Sequence, residues 1–115
     1  MGKRFNRVKG ITGENKAVEY LKKSKYKILE TNFTCKQGEI DIIALKNDYI
    51  VFVEVKARET LEYGNPSEAV NTLKQNKIRS SAEIYLIKNK KMENPCRFDV
   101  IEIYGEKINH IENAF

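Results

Sequence analysis

Apolar residues recur along this chain in two rhythms, one near the period of a helix and one near that of a strand. Ile11, Ala17, Val18, Tyr20 and Leu21 carry helical spacings after a Thr12-Gly13 start, which predicts a helix over Gly13–Lys23. Tyr26–Phe33 reads as a strand. Glu39–Leu45 and Tyr49–Lys56 are rich in Ile, Val and Phe and are separated only by Lys46-Asn47-Asp48, a β-hairpin signal. Gly64, Asn65 and Pro66 mark a loop, after which Ser67 can cap a turn. Between Thr72 and Lys88 the apolar positions Ile78, Ala82, Tyr85 and Leu86 form a helical stripe. Asn94-Pro95 breaks the chain, and Arg97–Tyr104 and Lys107–Ile111 read as strands around Gly105-Glu106. The order is α-β-β-β-α-β-β. A strand, a helix and a strand in succession permit one crossover, so the expected fold is α/β, a mixed sheet covered by helices. No repeat or linker divides it, and residues 1–115 are expected to form a single domain.

The hairpin carries the first chemistry. Side chains alternate along a strand, so Glu39, Asp41, Ile43 and Leu45 share a face, as do Ile50, Phe52, Glu54 and Lys56. With Asn47-Asp48 as a two-residue loop and Lys46 opposite Tyr49, Asp41 faces Glu54 and Glu39 faces Lys56. Like charges directly opposed in a sheet are destabilising. Glu54 also interrupts the apolar run Ile50-Val51-Phe52-Val53, where desolvating an unpaired carboxylate costs several kcal/mol. Proton sharing offsets that cost by raising one pKa. A hard divalent cation offsets it too, since oxygen ligands suit Mg²⁺ or Mn²⁺. A hairpin with a Glu39–Lys56 ion pair and a hydrated Asp41–Glu54 edge is the plain structural alternative. A carboxylate-held cation has a use in phosphodiester hydrolysis, lowering the pKa of its water and polarising the phosphate. Lys56 beside it would orient that water or meet the developing charge.

Charge points the same way when it is followed along the chain. The net of +5 is uneven: residues 1–9 hold Lys3, Arg4, Arg7 and Lys9 and no acid, and residues 71–91 hold six bases against one acid. A basic arm over residues 1–10 and a basic helix suit a polyanion, because phosphate contacts release counterions; a solvated arm and helix face is the plainer explanation. The longest apolar run, Tyr49 to Val53, is far below the ~20 residues of a bilayer span, and the basic N-terminus lacks a signal-type apolar region. Cys35 and Cys96 stand apart without a C-x-x-C, and His110 is the only histidine, too few ligands for structural zinc. The expectation is a cytoplasmic protein with reduced thiols and no membrane partner. His110 is expected at the surface or on an edge strand, and Tyr85, Phe98 and Tyr104 in the core.

Gly38-Glu39-Ile40-Asp41, followed by Glu54-Val55-Lys56, resembles the D…(D/E)-x-K signature of the restriction-endonuclease-like, or PD-(D/E)XK, nuclease superfamily. The chain as a whole is similar to the small bacterial YraN-type family of uncharacterised proteins. Gly13-Glu14, Val51-Phe52-Val53-Glu54-Val55-Lys56-Ala57-Arg58, Lys74-Gln75, Arg97-Phe98-Asp99-Val100 and Asn113-Ala114-Phe115 carry that similarity in order. Ile40 stands where the superfamily name has proline. The resemblance implies a restriction-endonuclease-like core and a Mg²⁺ or Mn²⁺ site like that of archaeal Holliday-junction resolvases. It implies Asp41, Glu54 and the Val55 carbonyl as metal ligands and Lys56 as the catalytic lysine. Glu14 would complete the metal site, although it equally suits the positive end of a helix dipole. Glu39 would contact metal, water or Lys56. Gln75 matches a polar helix residue near the site; Lys74, Lys77, Arg79, Arg58 and the basic arm would hold DNA phosphates, with solvation of the helix face as the plainer account. The expected activity is endonucleolytic hydrolysis of DNA, with branched or structured DNA a candidate substrate, and cutting both strands from one site per chain favours a homodimer. The alternatives are a non-catalytic nucleic-acid-binding module of the same fold, or an interaction protein whose hairpin charges form a salt-bridged edge.

Overall fold

β-Branched and aromatic residues supply the central strands of a five-stranded sheet, ordered β1-β2-β3-β4-β5, in the computed structural model of the protein. The structure describes the backbone of residues 2–57 and 70–115, and side chains within these ranges from residue 13 onward. The elements are α1 (Gly2–Lys23), β1 (Lys27–Cys35), β2 (Gly38–Lys46), β3 (Tyr49–Ala57), α2 (Thr72–Lys88), β4 (Cys96–Tyr104) and β5 (Lys107–Ile111). Neighbouring strands run antiparallel except β3 and β4, which are parallel across the crossover containing α2. The α-β-β-β-α-β-β order and the mixed sheet are those predicted.

Central position explains the unbroken apolar run of β3, where Ile50 through Glu54 are all buried. One face of the sheet packs Phe33, Ile43, Phe52 and Val100 against Ile78, Ala82 and Tyr85 of α2. The other packs Ile42, Val51, Val53 and Ile101 against Ala17 and Leu21 of α1. Of the three aromatics expected inside, Tyr85 is buried, whereas Phe98 and Tyr104 are only partly covered. The α2 boundaries match the sequence reading, and the side chain of Asn71 caps the helix by accepting the Lys74 N–H at 2.9 Å.

The first helix differs from its prediction: α1 starts at Gly2, so the stretch expected as a basic arm belongs to the helix. Gly13 is a packing residue, not a start signal. A Cβ built on it would stand 3.7 Å from Ala57 Cβ, which shows how closely α1 passes the end of β3. Glu14 consequently sits about three turns inside the helix, beyond the reach of an N-terminal dipole. Among the described residues, no helix is long and apolar enough to cross a membrane.

The feature that positions the candidate site is a fork. β2 and β3 pair from Lys46↔Tyr49 as far as Ile42↔Val53, the predicted register. There the recorded pairing stops. β2 continues with β1 through Phe33↔Ile40 and Thr34↔Glu39, while β3 continues with β4 to Ala57↔Ile103. Face alternation also breaks here, because Ile40 and Ile43 both enter the α2-side core while Ile42 lies on the α1 side. Asn32, between the partners of Ile42 and Ile40, has a left-handed φ of 54°, a conformation Asn tolerates better than most residues. The predicted Glu39–Lys56 opposition is therefore corrected: Glu39 pairs with Thr34, and Lys56 lies beside Glu102 of β4.

Candidate functional site

The fork leaves backbone groups without a ladder partner, and the Asp41 carboxylate satisfies one of them: Oδ2 accepts the Val55 N–H at 2.8 Å. The hydrogen bond fixes Asp41 at the mouth of the fork, next to Glu54. Burial pushes the Asp41 carboxyl up, the Glu54 charge adds to that, and Glu14 on α1 adds further. The Val55 N–H and the Lys74 charge oppose the rise, but the result is still about 7. The ladder stops one pair short of the Asp41–Glu54 opposition expected from the sequence, but the Glu54 charge still acts on Asp41.

Glu54 is 7% exposed and sits between two ammonium groups. Its Oε1 lies 2.7 Å from Lys74 Nζ and 3.8 Å from Lys56 Nζ. Burial pushes the Lys56 ammonium below the usual lysine range, helped by the hydrogen bond and charge of Lys74 and resisted by Glu54 and Asp41. Burial alone would lower Lys74 as well. Its hydrogen bonds to Glu54 and Lys56, with the charges of Glu54 and Asp41, outweigh burial and hold it above the usual range. Two acids and two amines therefore share one partly desolvated site, with the protons unevenly divided.

The donor set suits a hard cation: two carboxylates and a neighbouring peptide, with oxygen as the coordinating element. Among the described residues, no cluster of three or more His, Cys, Asp or Glu side chains could ligate a metal. A cation held by so few side chains would take waters for its remaining ligands, as Mg²⁺ commonly does. Burial, more than any neighbouring charge, raises the Asp41 carboxyl, while Lys74 and Lys56 both stand on Glu54.

The remaining predicted residues divide. Glu39 and Lys77 line a groove with Lys74 beside the fork. Gln75 turns away to donate from Nε2 to the Val70 carbonyl at 2.7 Å, which secures the start of α2. Arg79 lies over the rings of Phe98 and Phe115, 4.9 and 5.6 Å from their centroids. The side chains of Lys3, Arg4, Arg7 and Lys9, and all of Arg58 and Ser67, lie outside the described residues.

Two features escaped the sequence reading. Lys74 was expected at DNA phosphates, yet it grips Glu54; it stands four residues before Ile78, so it extends the buried stripe of α2 by one turn. On the α1 face, fully buried Asp99 accepts from Arg97 Nε at 2.9 Å and from the Asn113 N–H at 3.0 Å, and its Oδ2 is 2.6 Å from His110 Nε2. His110 is on edge strand β5 as expected, but its side chain is covered and its Nδ1 lies 3.0 Å from the Tyr20 hydroxyl. An acid within an apolar run signals Asp99 as it does Glu54.

The model of the uncharacterised protein family UPF0102 matches residues 13–103. The chain is 51% identical to a UPF0102 protein of Acetivibrio thermocellus, with 98% of this chain and 95% of the relative covered. It is 50% identical to one from Caldanaerobacter subterraneus subsp. tengcongensis (92% and 93% covered). It is also 51% identical to one from Clostridioides difficile (96% and 98% covered).

Proposed function

Since this chain belongs to the UPF0102 family, whose name assigns no chemistry, we propose from its own residues that it is a metal-dependent endonuclease hydrolysing DNA phosphodiester bonds, of the restriction-endonuclease-like kind its sequence resembles. The observation that carries the reading is the strand fork. It brings the Asp41 and Glu54 carboxyls into electrostatic contact, with Asp41 pushed up to about 7 and Lys56 beside Glu54.

Asp41, Glu54 and the Val55 carbonyl would hold Mg²⁺ or Mn²⁺, with Glu14 close enough to act on the site through its charge. When bound, the ion would lower the pKa of a coordinated water and polarise the scissile phosphate. Asp41 commits Oδ2 to the Val55 amide, so Oδ1 is the oxygen it offers. Lys56 is half-buried and holds its proton less tightly than an ordinary lysine, which fits it to orient the attacking water and to meet charge building on the phosphate oxygens. Lys74, once it releases Glu54, supplies a second cation to the phosphate. Lys77, Arg58 and the basic residues Lys3, Arg4, Arg7 and Lys9 would add contacts that carry no sequence information. Cutting both strands would call for two copies of this site, hence a homodimer.

The test is direct. Purified protein with Mg²⁺ or Mn²⁺ nicks DNA, and Lys56→Ala abolishes nicking without lowering the melting temperature. Equal cleavage by both proteins would mean a contaminant and would overturn the proposal.

One observation favours a second reading, a non-catalytic nucleic-acid-binding module: the Lys74 ammonium, 2.7 Å from Glu54, already neutralises one carboxylate from within the chain. Metal-independent binding without turnover on linear, nicked, flapped and four-way DNA would support it.

A further inference from the structure

Beside the fork lies a groove of about 310 Å³ whose lining includes Gly38 and Glu39 of β2 and Leu73, Lys74, Lys77 and Ile78 of α2. The β1–β2 hairpin comes down onto α2 at Gly38. With φ +148°, a Cβ built there would stand 3.6 Å from Lys77 Cβ and 3.5 Å from Ser81 Oγ. Lys74 belongs to both places, lining the groove while its Nζ contacts Glu54 in the fork. The groove therefore adjoins the candidate centre at Lys74.

Its lining combines three unlike chemistries. Leu73 presents an aliphatic side chain that is 65% exposed. Lys77 brings a cation on the next turn, and Glu39 brings a carboxylate acceptor from the strand. A phosphate alone would be repelled by Glu39, and an apolar ligand alone would leave both charges idle. One nucleotide satisfies all three, having an anionic phosphate, a flat base face and amino groups on the base edge.

We propose that this groove is a subsite for one unpaired nucleotide of the DNA strand next to the scissile phosphate. Lys77 takes its phosphate, Leu73 lies against the face of its base, and Glu39 accepts a hydrogen bond from an amino group on the base edge. The proposal rests on the nuclease reading for the presence of a strand at the fork. A base held in a duplex must first leave the stack at a cost of a few kcal/mol, so DNA that already contains an unpaired nucleotide is the favoured ligand.

Fluorescence anisotropy tests this without catalysis, using labelled duplexes of equal length in EDTA that are fully paired or carry one unpaired dC. The wild type is expected to bind the unpaired-dC duplex at least tenfold more tightly than the paired one. Leu73→Asn and Lys77→Gln should bring that ratio near one, and Glu39→Ala should lower it severalfold. Equal binding of paired and unpaired DNA by the wild type, or an unchanged ratio in the variants, would overturn the subsite. The nuclease reading fails separately. Preference for the unpaired duplex with no Mg²⁺-dependent cleavage keeps the groove and removes the catalysis, whereas cleavage with no such preference does the reverse.

Discussion

This sheet buries acids on both faces and treats them in opposite ways. Asp99, on the α1 side, is surrounded by donors: Arg97 twice, His110 and the Asn113 amide. Burial would raise its carboxyl, but the hydrogen bonds from His110 and Arg97 outweigh burial and hold it below the usual range. At the fork, burial pushes the Asp41 carboxyl up and the Glu54 charge adds to that, with only one amide donor to oppose them. Donors determine the outcome more than burial does. The Asp99 cluster is saturated and fastens β4 to β5, whereas Asp41 at the fork receives a single amide donor.

Removing each acid in turn should give opposite results. Asp99→Ala strands Arg97 and His110 in a covered site and should cost about 3–5 kcal/mol in urea denaturation. Asp41→Asn keeps an acceptor for the Val55 amide and removes the repulsion with Glu54, so the metal-free protein should melt higher at pH 8. If both substitutions destabilise alike, the contrast is wrong.

pH should separate the two acids next. Asp41 has a folded pKa near 7, well above the usual carboxylate range, so its contribution is fully present below the unfolded value and is lost as pH rises through about 7. Asp99, with a lowered folded pKa, contributes above its unfolded value and loses that as pH falls through the folded one. Without metal, the melting temperature should therefore fall between pH 5 and 8, and Asp41→Asn should flatten that slope while the acid-side loss remains.

A smaller effect is expected at Lys74. Lys74→Met should destabilise the metal-free protein by about 1 kcal/mol, because Glu54 keeps only the longer contact to Lys56. Mg²⁺ should narrow that gap in thermal melts. Smallest of all, Glu14→Gln should lower the Asp41 midpoint by a few tenths of a pH unit, followed through the Asp41 carboxyl carbon by NMR.

Much of this contrast was legible in the sequence, for specific reasons. The Asn47-Asp48 loop fixed the β2–β3 register, and the acid in Ile50–Glu54 announced a buried charge. What could not be read locally depends on distant pairing. β3 meets β4 only through the crossover, so nothing near Lys56 reveals Glu102 as its neighbour. Asn32, on β1 between the partners of Ile42 and Ile40, has a left-handed backbone that no periodicity signals. Gly13 misled because a glycine that allows close helix packing looks the same as one that starts a helix. Lys74 was readable, being on the Ile78 stripe, but a lysine at the end of an apolar stripe usually reaches solvent.

Counting free Mn²⁺ by electron paramagnetic resonance during a protein titration asks most directly whether the fork takes a dication. One ion bound per chain by the wild type and by Asp99→Asn, but none by Asp41→Asn or Glu54→Gln, is the expected result. No ion bound by the wild type, or the same single ion in all four proteins, would contradict it.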